Sequence, residues 1–273
     1  MIIIEPCAGL GNRFLGLASA YHMSRKLNEK LLVIWKKETA LGAPSDLLFT
    51  LPQDVEVVQI SELGYKRAPF AEIAGNRVKK KYRKLAGGML TCDDVHEMYQ
   101  KGGTKAIEDY IKGRKNAYLK ATNPFVELDS IEKPLDFIKP AAAITQKVEQ
   151  ILHNVDRENL VGIHVRRTDN SDAINNSPLS GFMDKMKREV EKNPNVHFYL
   201  ATDDREVEND ITAEFGDRIY TFKDKSLARD DNQGIIDAYT EMLCLSRCSK
   251  IIGSFNSTYS AMAARIGGIK LEI

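Results

Sequence analysis

Gly162-Ile163-His164-Val165-Arg166-Arg167-Thr168-Asp169 is the stretch whose reading decides the fold. Leu160 to Val165 is an apolar, β-rich run bounded by polar residues, the pattern of a buried strand. In open α/β sheets the ligand crevice lies just outside the carboxyl ends of the strands. Two arginines and an aspartate therefore arrive where phosphates usually bind. Arginine suits that place, because its planar fork grips two phosphate oxygens at once and stays charged at every working pH. The other reading is an ordinary ion pair between Arg166 and Asp169 closing the strand end. The flanking sequence has to choose.

Around that strand the second half of the chain is regular. Pro140 to Leu152 reads as a helix, proline being tolerated in a first turn. A loop rich in Asp, Asn and Ser spans Thr168 to Ser177, and Pro178 to Glu191 is helical. Val196 to Ala201 is a strand ending in Thr202-Asp203-Asp204, followed by a helix from Arg205 to Phe215 and a strand from Arg218 to Phe222. Helix Ile235 to Arg247 leads to strand Lys250 to Gly253, then helix Ser257 to Ile266 and a last strand or tail, Ile269 to Ile273. Strands alternating with helices of this length predict a parallel sheet covered on both faces.

Such a sheet brings Arg166, Asp203-Asp204 and Ser254 to Thr258 to one edge. Ser254, Asn256, Ser257 and Thr258 are cap-type residues opening a helix, whose N–H groups and positive dipole end favour an anion. Helix capping alone needs fewer of them. With Arg166 they predict a diphosphate held between a helix start and a guanidinium. Asp203 and Asp204 have a rival reading as ligands of a divalent metal bridging nucleotide phosphates. Their adjacent spacing, and the positive charge already present in Arg166, favour capping and support instead.

The first half is less regular. Residues 2–5 read as a buried strand, Cys7-Ala8-Gly9-Leu10-Gly11-Asn12-Arg13 as a turn, and Asn12 to Leu27 as a helix. Strand, Gly-x-Gly turn and helix form a phosphate-cradle layout. As a dinucleotide fingerprint it is incomplete: Gly16 falls late, and no acid ends the second strand, Leu31 to Trp35. A nicotinamide cofactor is set aside, and Gly9, Gly11, Asn12 and Arg13 become candidates for approaching a ligand across an interdomain cleft. Val55 to Ile60 and Asn116 to Ala121 are further strands, with irregular helices and loops expected over about 61–115, shaping an acceptor pocket. The stretch around Asn123-Pro124 and Lys133-Pro134 reads as the crossing between domains.

At 273 residues, two domains are the natural division, taken as 1–130 and 131–273. Hydrophobic content of 43% and charged content of 28% are those of a soluble globular chain, and a net charge of +1 argues against a dedicated nucleic-acid binder. Arg77, Lys79, Lys80, Lys81, Arg83 and Lys84 are either a solvated helix face or a contact for an acidic acceptor or a membrane surface. No apolar run approaches the length of a spanning helix, and Met1-Ile2-Ile3-Ile4 has no basic lead. Cys7, Cys92, Cys244 and Cys248 form no CxxC pair and read as free thiols in a reducing cytoplasm.

His164-Val165-Arg166-Arg167-Thr168-Asp169, Tyr199-Leu200-Ala201-Thr202-Asp203-Asp204 and the run from Glu241 through Ser246 to Ser254-Phe255-Asn256-Ser257 keep the order seen in GDP-fucose-dependent fucosyltransferases. The sequence resembles the α1,6-fucosyltransferases over about 160–265, and is more distantly similar to α1,2- and protein O-fucosyltransferases. Gly9-Leu10-Gly11-Asn12 also looks like the glycine turn that opens these enzymes.

The resemblance implies two Rossmann-like domains facing a cleft, the GT-B arrangement, with 1–130 on the acceptor side and 131–273 binding the donor. It implies inverting transfer of fucose from GDP-fucose to a glycan, polysaccharide or lipid-linked acceptor, with no required metal. Arg166 would hold the β-phosphate, with Arg167 and Asp169 beside it in the motif, and Ser257 would bind phosphate. His164 and Glu241 would address guanine, with Asp237 one turn earlier as the substitute. Asp203 and Asp204 would support the nucleotide site. Where the α1,6 enzymes carry an acidic base candidate this chain has Ile174, so Asp172 is the nearest carboxylate for that role. Other readings are a transferase of another nucleotide sugar such as GDP-mannose, and a catalytically silent nucleotide-sugar-binding protein.

Overall fold

The computed structural model describes residues 1–62, 69–168 and 171–273. In the first half the elements are β1 (Ile2–Pro6), α1 (Leu10–Leu27), β2 (Leu31–Lys37), β3 (Phe49–Thr50), β4 (Val55–Ser61), α2 (Pro69–Leu85), α3 (Cys92–Lys112), β5 (Ala117–Ala121) and β6 (Lys139–Pro140). The second half adds α4 (Ala142–Ile151), β7 (Leu160–Val165), α5 (Ser171–Asn176), α6 (Leu179–Lys192), β8 (His197–Thr202), α7 (Arg205–Phe215) and β9 (Ile219–Thr221). After these come α8 (Asn232–Leu245), β10 (Lys250–Gly253), α9 (Thr258–Gly267) and β11 (Lys270–Glu272).

These elements make two units. One comprises 1–141 together with 228–236, and the other 142–227 with 237–273. The first unit therefore takes in 131–141, and it also reclaims a short segment from the far end of the sequence. Gly42 shows how closely that segment packs: its N–H donates to the Arg229 carbonyl at 2.8 Å, and a Cβ there would sit 2.3 Å from the Asp230 carbonyl carbon.

In the first unit the sheet runs β4-β2-β1-β5, all neighbours parallel. Ile3, Leu32, Ile34, Ile60 and Tyr118 form a buried cluster on one face, against which Val78 and Tyr82 of α2 pack. Gly16 lets α1 press on β5, since a Cβ would meet the Ala121 Cβ and carbonyl oxygen at 3.1 Å. Two expectations need correction here. The stretch 61–115 contains two long helices rather than irregular pieces, α3 being kinked at Gly103, where φ is 60° and ψ −161°. Pro140 does not open a helix: with Lys139 it forms β6, antiparallel to β3, and α4 starts after it.

The second unit's sheet runs β11-β10-β7-β8-β9, again parallel throughout, with β7 at its centre. Alternation along β7 sorts its side chains. Val161, Ile163 and Val165 join Phe182, Met186, Val207 and Ile211 from α6 and α7 in one apolar cluster. Gly162 faces the other way, where a Cβ would lie 3.0 Å from Leu245 of α8. Both faces are thus covered, and the carboxyl ends of β10, β7 and β8 stand side by side. The expected loop after Arg167 holds one short helix, α5. The basic residues from Arg77 to Lys84 lie on α2 and are mostly exposed, with Lys79 paired to Glu62. Among the described residues no helix is long and apolar enough to cross a membrane.

Candidate functional site

The edge formed by β10, β7 and β8 is held together by a few polar groups. Ser254, fully buried at the end of β10, accepts the Arg166 N–H at 2.9 Å and donates to the His164 carbonyl at 3.2 Å. On the other side, Asp203 closes on the turn after β7. Its carboxylate accepts the Arg167 N–H at 2.8 Å and the Thr168 hydroxyl at 2.6 Å, and pairs with the Arg166 guanidinium at 3.0 Å. The Arg166 side chain keeps 20% of its surface exposed. A guanidinium held by a carboxylate loses much of its rotamer freedom, and its planar fork is of the shape that grips an anion. Asp169, the other acid proposed for Arg166, lies outside the described residues.

Arg167 has a different task from Arg166. It donates to the Arg166 carbonyl at 3.0 Å and to the Ser177 carbonyl at 2.9 Å, and burial lowers its pKa. The Ser177 hydroxyl in turn accepts the Phe255 N–H at 2.8 Å, so Arg167 braces the loop against the start of α9. Asp204 caps α7, accepting from the N–H groups of Glu206 and Val207 at 2.8 and 3.3 Å. Of the two expected support residues, Asp203 positions Arg166 and Asp204 starts a helix.

The start of α9 completes the edge. Asn256 adopts φ +50°, turning the chain, and Ser257 occupies the cap position without making a side-chain cap bond. The first-turn N–H groups of any such helix have no acceptor within it and point outward beside the positive dipole end. Asn256 is exposed, and Ser257 and Thr258 are half-buried. Below them the buried His164 ring stacks on Tyr259 at 4.8 Å, and its Nδ1 makes no hydrogen bond among the described residues. Burial, then the nearby Arg166 charge, pushes its pKa down to about 3. His164 therefore serves as a neutral imidazole.

That shift has a sign that can be tested. The ordinary value is 6.5, so His164 contributes stability that is complete above pH 6.5 and is lost as the pH falls towards 3. Urea denaturation of His164→Phe at pH 7, 5.5 and 4 is expected to show a shallower acid limb than the parent chain. Parallel limbs would mean the imidazole already titrates normally in the fold.

Glu241 and Asp237 are buried on α8. The Glu241 carboxylate accepts from Lys225 Nζ at 2.8 Å, and Lys225 also meets Glu208 at 3.1 Å. Burial, opposed by Lys225, pushes the Glu241 pKa up to about 7. Asp237 accepts the Ser226 N–H at 2.8 Å. Both acids fasten the 225–226 segment, so the guanine-facing role expected for Glu241 meets a carboxylate already engaged by a buried ammonium. Asp172 is exposed on α5, with its carbonyl accepting from Asn176.

In the first unit Gly9 caps α1 after Ala8, which takes φ +65°. Asn12 reaches the Thr122 carbonyl at 2.9 Å, and Gly11 is buried. Arg13 is wholly inaccessible. It donates to the Ala8 and Lys36 carbonyls, pairs with Glu38 at 2.7 Å and lies 5.0 Å from the Trp35 ring centre. It is a brace for the turn rather than an arm towards a ligand. Sequence reasoning missed Thr168, Ser177, Lys225 and Tyr259. Only Tyr259 carried a signal, as a large aromatic in the first turn of a helix that opens at a sheet edge.

No family model and no curated protein matches the sequence. Solved structures do. The NodZ α-1,6-fucosyltransferase soaked with GDP-fucose superposes with a TM-score of 0.62 at 16% identity, covering 97% of this chain and 92% of NodZ. POFUT1 in complex with GDP gives 0.58 at 13% identity, over 99% of this chain and 97% of the other. FUT1 of Arabidopsis thaliana in complex with GDP gives 0.61 at 16% identity, over 99% of this chain and 69% of that one. At such identities the likeness establishes architecture, and the chain has the fold of these fucosyltransferases.

Proposed function

We propose that the chain is an inverting glycosyltransferase that moves fucose from GDP-fucose to a glycan hydroxyl. One observation carries the reading: Arg166, fixed by Asp203, stands at the carboxyl edge of a parallel sheet beside the opening turn of α9. The GDP and GDP-fucose bound by structures of the same fold support the choice of donor. Breaking the sugar–phosphate bond puts negative charge on the departing diphosphate. Fixed donors aimed at that charge lower the barrier. Arg166 takes the β-phosphate, and Ser257 with the first-turn N–H groups of α9 takes the other side. His164 addresses the base as a neutral ring, and Asp172 is the carboxylate available to accept the proton of the attacking hydroxyl.

The acceptor in this reading is a glycan, polysaccharide or lipid-linked sugar met in the cytoplasm. The exposed basic face of α2 is the place for an anionic acceptor or a peripheral membrane contact. Transfer without a metal is part of the proposal. Asp203 already binds a guanidinium and the Thr168 hydroxyl, and Asp204 caps a helix, so neither offers an open carboxylate. Activity is accordingly expected to survive EDTA unchanged, and an absolute requirement for Mn²⁺ or Mg²⁺ would move these acids into a metal role.

Titration calorimetry with GDP, GDP-fucose, GDP-mannose and UDP tests the donor, with the two fucose-relevant ligands expected to bind and UDP to fail. Binding of UDP in preference to GDP would overturn the reading. Ile174, standing where related enzymes carry an acid, favours one alternative, a nucleotide-sugar-binding protein without turnover. Release of GDP and free fucose from GDP-fucose by the purified chain would dismiss it.

A further inference from the structure

From Ala74 to Leu85, α2 carries six cations and no acid. Its inner side is apolar: a Cβ on Gly75 would meet Ile60 at 3.5 Å, and Val78 and Tyr82 pack against the buried cluster of the first sheet. Arg77, Lys80, Lys81 and Lys84 follow the i, i+3, i+4, i+7 spacing that makes one row along a helix, opposite that inner side. All four are exposed, as is Arg83 beside them. Lys79 is the exception, paired with Glu62, while Glu56 of β4 is near enough to raise the Tyr82 pKa. None of the five exposed cations makes an ion pair among the described residues. On α3 the charges interleave instead, Lys101 with Glu97, Lys105 with Asp109 and Lys112 with Glu108.

The basic surface continues past the helix. Asn116 Nδ2 donates to the Leu85 carbonyl at 3.2 Å, which sets the exposed Arg114 and Lys115 beside the end of α2. Leu85 itself is 50% exposed, an apolar side chain among cations. We propose that this face docks on an anionic lipid bilayer, with the row on α2 at the headgroup phosphates and Leu85 at the acyl boundary.

Like charges three and four residues apart repel along a helix, and α2 holds them without interleaved acids. A sheet of anions relieves that repulsion, and each cation brought to such a surface strengthens binding about fivefold. The charges lie in a row rather than converging on a pocket, as suits a surface more than a single bound anion. Leu85 decides between a bilayer and a soluble polyanion: an acyl layer takes its side chain out of water, and a sulfated or carboxylated glycan does not. Docking there brings the first unit to lipid-linked sugars, whose lipid ends the same bilayer holds. A bilayer partner rests on the acceptor-side reading of α2 given above and narrows it to lipid; donor binding plays no part in it.

The test is co-sedimentation of the full chain, without nucleotide, with phosphatidylcholine vesicles that contain or lack about 30% phosphatidylserine. Binding is expected only to the phosphatidylserine vesicles, and should fall about tenfold or more when NaCl rises from about 0.05 to about 0.5 M. Lys80→Gln combined with Lys84→Gln should weaken it about twenty-five-fold. Arg114→Gln with Lys115→Gln leaves α2 unaltered and should weaken it by about the same factor. Leu85→Ser should remove whatever binding survives at high salt. Equal sedimentation with both kinds of vesicle, indifference to salt, or capture on dextran sulfate beads without vesicle binding would overturn the proposal. Calorimetry with GDP in the absence of vesicles reads the donor site separately. GDP binding without vesicle binding sinks the bilayer and spares the transferase reading; vesicle binding without GDP binding does the reverse.

Discussion

Arg166→Ala is expected to lower fucose transfer from GDP-fucose by about 10²- to 10³-fold, the loss seen when one fixed donor to a developing oxyanion is removed. The fold should survive, because the guanidinium lies at a strand end, partly exposed, and no apolar packing depends on it. Circular dichroism and the denaturation midpoint check that point, and initial rates at saturating donor check the first. Arg166→Lys restores charge without the fork, so it should recover only part of the rate. Asp203→Asn gives a further control: the ion pair is lost while Arg166 remains, and the rate should fall because that pair helps to orient the guanidinium. Full activity in Arg166→Ala would place the phosphate grip elsewhere.

The largest expected effect on stability is at Lys225. Its side chain is 1% exposed and joins Glu208 and Glu241, themselves 11% and 8% exposed. Removing the cation leaves two acids facing each other in a poorly solvated place, and breaking a buried pair this way costs about 3–5 kcal/mol. Lys225→Ala is expected to lose that much in urea denaturation at pH 8. At pH 5 the loss should be smaller. Burial raises the Glu241 pKa to about 7 from 4.5, so its contribution is complete below pH 4.5 and disappears as the pH rises through 7. Replacing Lys225 and Glu241 together with apolar residues of similar volume should restore much of the lost stability. A single variant within about 1 kcal/mol of the parent would show the triad to be solvated and dispensable.

The parts of the site readable from the sequence were those set by strand alternation and by charge type. Val161, Ile163 and Val165 announced a buried strand, and that strand fixed where Arg166 must emerge. Ser257 was readable because cap residues cluster at helix starts. The roles within each pair were not readable. Asp203 and Asp204 are neighbours with the same chemistry, and only the pairing of β7 with β8 sets Asp203 against the 166–168 turn while Asp204 turns to α7. Arg13 looked like a ligand arm because a charged residue after a glycine turn is ordinarily exposed. Here Glu38, two carbonyls and Trp35 enclose it, all brought in from outside its own helix. The helices over 69–85 and 92–112 were expected only as irregular pieces because Gly102-Gly103 and the basic run interrupt their apolar spacing, while burial on the sheet supplies what propensity lacks.

Gly42 has a consequence for how the molecule is made. The backbone lying against it belongs to residues 229–231, which leave the ribosome after β7, β8 and β9 have already emerged. The amino-terminal body is therefore left unfinished until late in translation, and a fragment stopped at residue 141 would present a gap where that late segment belongs.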